Sequence, residues 1–149
     1  MNSLDVLQET LEVLFSHLQI DPNVEIEEKN ESIAISVEGR NLNYLIGTHG
    51  ETLASLEHLL KQILFNRLDS WYYIELDING YRQKKVERIE DTVKRAIDKI
   101  RFFQDDVALP PMNASDRRLV HMYVAEYDDI ETESLGAGRE RHVVLKKKQ

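Results

Sequence analysis

The stretch Leu42-Asn43-Tyr44-Leu45-Ile46-Gly47-Thr48-His49-Gly50-Glu51-Thr52-Leu53 decides how the first half of this chain is read. A short apolar piece, Leu42 to Ile46, meets two glycines three positions apart. Beyond them Leu53, Leu56, Leu60, Ile63 and Leu64 recur at helical spacing. The pattern predicts two helices flanking a glycine-bracketed turn. Such a turn lets backbone approach a sugar–phosphate chain, and the amino end of the following helix aims N–H groups and a positive dipole at phosphate. A plainer reading also accommodates the four residues: Gly47 stops one helix, Gly50 relieves crowding, and the turn only connects.

Outward from the turn, Leu4, Leu7, Leu11, Leu14, Phe15 and Leu18 mark an amphipathic helix capped by Asn2 or Ser3 and ended before Asp21-Pro22. Val24 and Ile26, then Ile33, Ile35 and Val37, alternate with polar residues around Glu28-Lys29-Asn30-Glu31, the pattern of a β-hairpin. Trp71 to Ile78 alternates again as a third strand, ended by Asn79-Gly80. From about Arg82 to Phe103, Val86, Ile89, Val93, Ile97 and Ile100 predict one long helix. Asp105-Asp106 and Pro110-Pro111 break the chain there, and the only domain boundary is expected between about Phe103 and Met112. Asn113 then caps a helix through Leu119, Val120, Tyr123 and Val124, ending near Tyr127. Ile130–Ser134 and His142–Leu145 read as two short strands around Gly136-Ala137-Gly138, a tail too small to hold a large core and expected to pack on the long helix.

The 149 residues are 42% apolar, enough for a core, and contain no cysteine. Disulfide staples, thiolate nucleophiles, zinc ribbons and cysteine-held iron–sulfur clusters are excluded. No apolar run approaches the roughly 20 residues that span a bilayer, and the start lacks a signal-peptide pattern, so a cytoplasmic protein without membrane insertion is expected. His17, His49, His58, His121 and His142 are scattered, with no HExxH spacing, Walker loop, dinucleotide fingerprint or nucleophilic triad. The reading is therefore not an enzyme, with no cofactor and no metal.

The net charge of −8 is unevenly spread. Residues 1–79 carry 14 acidic and 4 basic side chains, whereas residues 80–149 carry 13 acidic and 15 basic. Residues 80–104 alone hold Arg82, Lys84, Lys85, Arg88, Lys94, Arg95, Lys99 and Arg101 against four acids. An anionic ligand favours the second half. In that half, Arg117 and His121 stand four apart on one helix face, where a guanidinium can pair with phosphate and an imidazole can donate to it or stack on a base. The bland alternative is a chance pair with His121 packed beside Tyr123 or Met112.

The order helix, strand, strand, helix, Gly47-Thr48-His49-Gly50, helix, strand over residues 3–78 resembles a type II KH domain. By that resemblance the loop clamps about four nucleotides, with Leu45, Ile46 and Leu53 building or supporting an apolar groove beside it. The two central loop residues are commonly basic in the family; here they are Thr48 and His49. The series Pro111-Met112-Asn113, Arg117-Arg118-Leu119-Val120-His121, Thr132-Glu133-Ser134, Gly136, Gly138, Arg141 and Val143-Val144 resembles the R-three-H domain. The two in tandem resemble the bacterial Jag (KhpB/EloR) family of RNA-binding regulators linked to cell envelope growth and cell shape, here expected to lack the amino-terminal Jag-N domain.

The resemblance implies an α+β fold: a type II KH domain, a three-stranded sheet packed by helices, over 1–80; a long basic connecting helix over 81–104; and a small α+β R-three-H domain over 105–149. It implies binding of single-stranded RNA, or single-stranded DNA, by a regulator or RNA chaperone. The nucleic-acid contacts it implies are Gly47, Thr48, His49, Gly50, Arg117, Arg118, His121, Arg139 and Arg141, with the basic helix steering the strand. It also implies a small KH-domain protein as partner. The competing reading is a protein-interaction module with a KH fold and little nucleic-acid affinity, motivated by the non-basic loop and the acidic first half.

Overall fold

Asn2 opens the chain's first helix, α1 (Ser3–His17), through a capping box: its side chain accepts from the Asp5 amide at 2.9 Å and the Asp5 carboxylate accepts from the Asn2 amide. Ser3 is not the cap; its hydroxyl donates to Glu28 at 2.9 Å. The computed structural model describes residues 1–149. These divide into two compact units, Met1–Arg82 and Gln83–Gln149.

In the first unit, β1 (Asn23–Lys29) and β2 (Ser32–Glu38) form the expected hairpin, in which Lys29 pairs with Ser32. Its two-residue turn places Asn30 at φ 60°, a left-handed position that asparagine tolerates. α2 is a single turn (Asn43–Ile46), and α3 (Glu51–Leu68) follows the glycine loop. β3 (Tyr73–Ile78) then lies parallel to β2, a pairing that requires the intervening helical crossover. The sheet order is β1-β2-β3. Ile33, Ile35, Val37, Ile74, Leu76 and Ile78 turn inward against Val6, Leu7, Leu11, Phe15, Leu60 and Leu64 of α1 and α3. Each such aliphatic side chain contributes about 1.5–3 kcal/mol when fully buried. The third strand begins at Tyr73; Trp71 and Tyr72 lead into it.

All but the first two residues of α4 (Tyr81–Phe103) belong to the second unit, where the helix buries Ile89, Val93, Ala96, Ile97 and Ile100. That stripe shares one core with Leu109, Val120, Val124, Ile130, Val143 and Leu145. The units therefore divide at Arg82/Gln83, not between Phe103 and Met112: the prolines break the chain's direction, but the helix before them is needed to complete the tail's core. β4 (Val107–Ala108), α5 (Ala114–Val124), β5 (Ile130–Leu135) and β6 (His142–Lys147) complete the unit, with sheet order β4-β6-β5, all antiparallel. β4 escapes sequence reading because two residues carry no alternation. α5 stops at Val124, three residues before the expected end, and Tyr127 closes a turn onto the Val124 carbonyl at 2.9 Å. No helix is long and apolar enough to cross a membrane.

Candidate nucleic-acid interface

The glycines of the first-unit loop answer a steric demand. Gly47 sits at φ +74°, and a Cβ there would collide with Thr52, approaching its Cβ to 2.8 Å. Gly50 sits at φ +80°, where a Cβ would come within 2.9 Å of the Tyr81 ring. Between them Thr48 and His49 are exposed, His49 at φ 56°. Gly50 caps α3 with no side-chain hydrogen bond, and the Glu51 amide donates to the Thr48 carbonyl within the loop. Glu51 in the same turn opposes an anion. Leu45, Ile46 and Leu53 are buried, so they support the loop from beneath.

From the loop, α3 runs beside the outer edge of β3, and one ridge of the helix makes a row of contacts there. The Glu57 carboxylate accepts from the Leu76 amide at 3.0 Å and pairs with Arg82, whose Nε donates to the Leu76 carbonyl at 3.1 Å. One turn on, the Lys61 ammonium stands 5.4 Å from the Tyr73 ring centre. One turn further, Phe65 stacks on Trp71 with centroids 4.2 Å apart and planes 18° from parallel. Tyr73 and Trp71 remain 64% and 59% exposed. The spacing of four along α3 makes the ridge readable, but not its partners on β3. The open face of the same sheet carries Glu25, Glu27, Glu75 and Asp77, a potential that repels phosphate.

In the second unit, Asn113 caps α5 as expected, accepting from the Asp116 amide at 2.8 Å. Asp116 is 4% exposed and pairs with Lys85 of α4 at 2.8 Å, so this lysine anchors α5. Arg117 donates to the Met112 carbonyl at 2.7 Å, and the Met112 amide donates to the Arg141 carbonyl at 3.2 Å. The Arg141 guanidinium in turn donates to the Gly136 carbonyl at 2.8 Å. His121 Nδ1 lies 2.6 Å from the Thr132 hydroxyl on β5. Arg117, His121 and Arg141 are thus each held by a neighbour, and all three are half-buried. Arg118 is exposed, about 100° around the helix from Arg117. Arg139 is exposed in the 3-10 turn Gly138–Glu140. Sequence reasoning missed the Met112 carbonyl and the hydroxyl of Thr132 as the groups that orient Arg117 and His121.

Several cations of α4 are already engaged. Arg101 makes a two-point pair with Asp129, both contacts at 2.9 Å, and its hydrogen bond holds the Asp129 carboxyl below its ordinary range. Lys94 pairs with Glu90 at 3.3 Å, and Lys146 with Glu133 at 2.7 Å; each partner raises the ammonium pKa. Lys84, Arg95 and Lys99 stand exposed. No group of three or more His, Cys, Asp or Glu side chains converges as a metal site would require.

Residues 84–147 match the R-three-H domain family. The chain is 29% identical over 143 residues to the RNA-binding protein KhpB of Clostridium symbiosum, covering 95% of this chain and 64% of the relative. It is 29% identical over 130 residues to KhpB of Bacillus subtilis strain 168, covering 85% and 62%. It is 20% identical over 135 residues to KhpB of Streptococcus pneumoniae strain D39, covering 91% and 41%. The chain therefore spans less than two thirds of the length of these curated relatives. The connected set around Arg117 and His121 lies within the matched span, and residues 84–147 are accordingly identified as an R-three-H domain in a chain similar, over most of its length, to proteins named KhpB.

Proposed function

We propose that the chain binds single-stranded nucleic acid, RNA in preference to DNA, and acts without catalysis as a cytoplasmic regulator or RNA chaperone in cell envelope growth and shape control. The observation that carries the reading is the fixed pair Arg117 and His121, held by the Met112 carbonyl and the Thr132 hydroxyl inside the R-three-H domain. In the tautomer this reading takes, the Thr132 hydroxyl donates to Nδ1 and the His121 ring proton sits on Nε2, a donor suited to a phosphate oxygen. Arg118, Arg139 and Arg141 add positive charge within the same unit. The name RNA-binding protein shared by the relatives supports the ligand class.

The topology of Met1–Arg82, with β2 parallel to β3 and the glycine loop between α2 and α3, supports a type II KH domain. In this reading Gly47, Thr48, His49 and Gly50 hold backbone phosphate, and the strand follows the α3/β3 seam toward Tyr73 and Trp71. The test is fluorescence anisotropy with labelled single-stranded RNA and matched DNA at several salt concentrations. Affinity is expected to fall with salt at about 0.7 per phosphate contact, and Thr48→Asp with His49→Asp to weaken binding in a chain that stays folded. No binding of either strand at low salt overturns the reading.

A second reading has a specific observation behind it: the outward groups of Leu76 on β3 are occupied by Glu57 and Arg82, beside a loop with no lysine or arginine. It makes the first unit chiefly a protein-interaction module, with a small KH-domain protein as its partner. Retention of that partner from lysate after ribonuclease treatment favours it.

A further inference from the structure

The two outer edges of the first-unit sheet are treated differently. At β3 the outward N–H and C=O of Leu76 are both taken, by Glu57 and Arg82. At β1 no such closure exists. The two-residue hairpin makes Lys29 and Ser32 the hydrogen-bonded closing pair, so the backbones of Lys29, Glu27 and Glu25 face β2 while those of Val24, Ile26 and Glu28 face outward. The far side of β2 agrees in phase, since its Val37 carbonyl, on an inward-packing residue, accepts from Asn79 of the β3 side at 2.8 Å. β1 has a neighbour on one side only.

Beside that open edge, between α1 and β1, lies a groove of about 630 Å³. Leu11, Phe15, Val24 and Ile26 give it an apolar lining, and the exposed carboxylates of Glu12 and Asp21 line it too. Glu25 and Glu27 stand on the opposite face of the strand. An added strand projects alternate side chains to the two faces. One set would fill the groove and extend the apolar core; the other would meet Glu25 and Glu27.

We propose that the β1 edge and this groove form a strand-addition site for an extended segment of a partner protein in which apolar residues alternate with lysine or arginine. Backbone pairing supplies the affinity, and the groove and carboxylates supply the sequence preference. The same carboxylates repel nucleic acid, so the site is separate from the RNA contacts and stands whether or not those are confirmed.

The experiment is an NMR titration of the full isotope-labelled chain with acetyl-(Lys-Val)4-amide, and with acetyl-(Glu-Val)4-amide as the charge-reversed control. The Lys-Val peptide is expected to shift the amides of Val24, Ile26 and Glu28 and the methyls of Leu11, and to slow hydrogen exchange at the Ile26 amide. Glu25→Lys with Glu27→Lys is expected to weaken binding about tenfold or more, and Glu75→Lys on β3 to leave it within about twofold. The proposal is overturned by absence of shifts at millimolar peptide, by shifts scattered over all acidic surfaces, or by equal weakening from Glu75→Lys. It is also overturned if the β1 amides shift with protein concentration alone and sedimentation shows a dimer, because a second copy then occupies the edge.

Discussion

Glu57 and Arg82, 25 residues apart in the chain, meet across the outer edge of β3, and each takes one of the two outward backbone groups of Leu76. An edge strand exposes unpaired N–H and C=O groups that invite another chain; here side chains satisfy those of Leu76 from within. Glu57 is largely covered, with 16% of its side chain exposed. Glu57→Ala is therefore expected to destabilise the chain by about 1–3 kcal/mol, because the Leu76 amide and Arg82 both lose a partner. Glu57→Gln keeps an acceptor for the amide and loses less. Urea denaturation measures both, and faster hydrogen exchange at the Leu76 amide identifies the cause.

The three positive-φ glycines of the first unit differ in what surrounds them, and that difference orders their alanine variants. Gly80 at φ +68° has nothing within 4 Å of a Cβ, so Gly80→Ala carries only the left-handed penalty of about 1–2 kcal/mol. Gly47→Ala adds a collision with Thr52, backbone included, and is expected to be the most destabilising of the three. Gly50→Ala meets a side-chain ring and falls between them. Denaturation midpoints of the three variants give the order directly; Gly80→Ala as the worst would contradict it.

Thr132 touches His121 but is not itself expected to touch nucleic acid. Thr132→Val keeps the side-chain volume and removes the hydroxyl that holds Nδ1 at 2.6 Å. RNA affinity is expected to fall by about threefold to tenfold, the worth of one net hydrogen bond, with no change in the salt slope. Arg118→Ala is expected to reduce that slope by about 0.7 instead. The pair of salt titrations separates a residue that orients a contact from one that makes it.

Trp71 is the only tryptophan, it is exposed, and its ring is already stacked on Phe65. From Gly50 to Phe65 the helix advances about 22 Å, comparable with the reach of the four nucleotides a glycine loop of this kind clamps. A base continuing along the seam would reach Trp71. Single-stranded RNA is expected to quench its fluorescence, and Trp71→Ala to weaken binding by about 1–3 kcal/mol. An unchanged emission spectrum at saturating RNA would remove this residue from the path of the strand.

The amino-acid sequence by itself determined the main helices and strands, β4 excepted, and their inward faces. The 3.6-residue spacing of Leu7, Leu11 and Phe15, and of Ile89, Val93, Ile97 and Ile100, records which side of α1 and α4 is buried, and the alternation of Ile33, Ile35 and Val37 does the same for β2. The cap at Asn113 and the pair Arg117–His121 are equally local, because each depends on residues within about one helical turn. Tertiary structure alone decided that α4 completes the second core, that β4 pairs with β6, and that Thr132 holds His121. It also decided that side chains satisfy the outward groups of Leu76 on the β3 edge while β1 has no such partners. These depend on which distant segments meet. Local periodicity reports that a side chain is buried, but carries no record of the residue it is buried against.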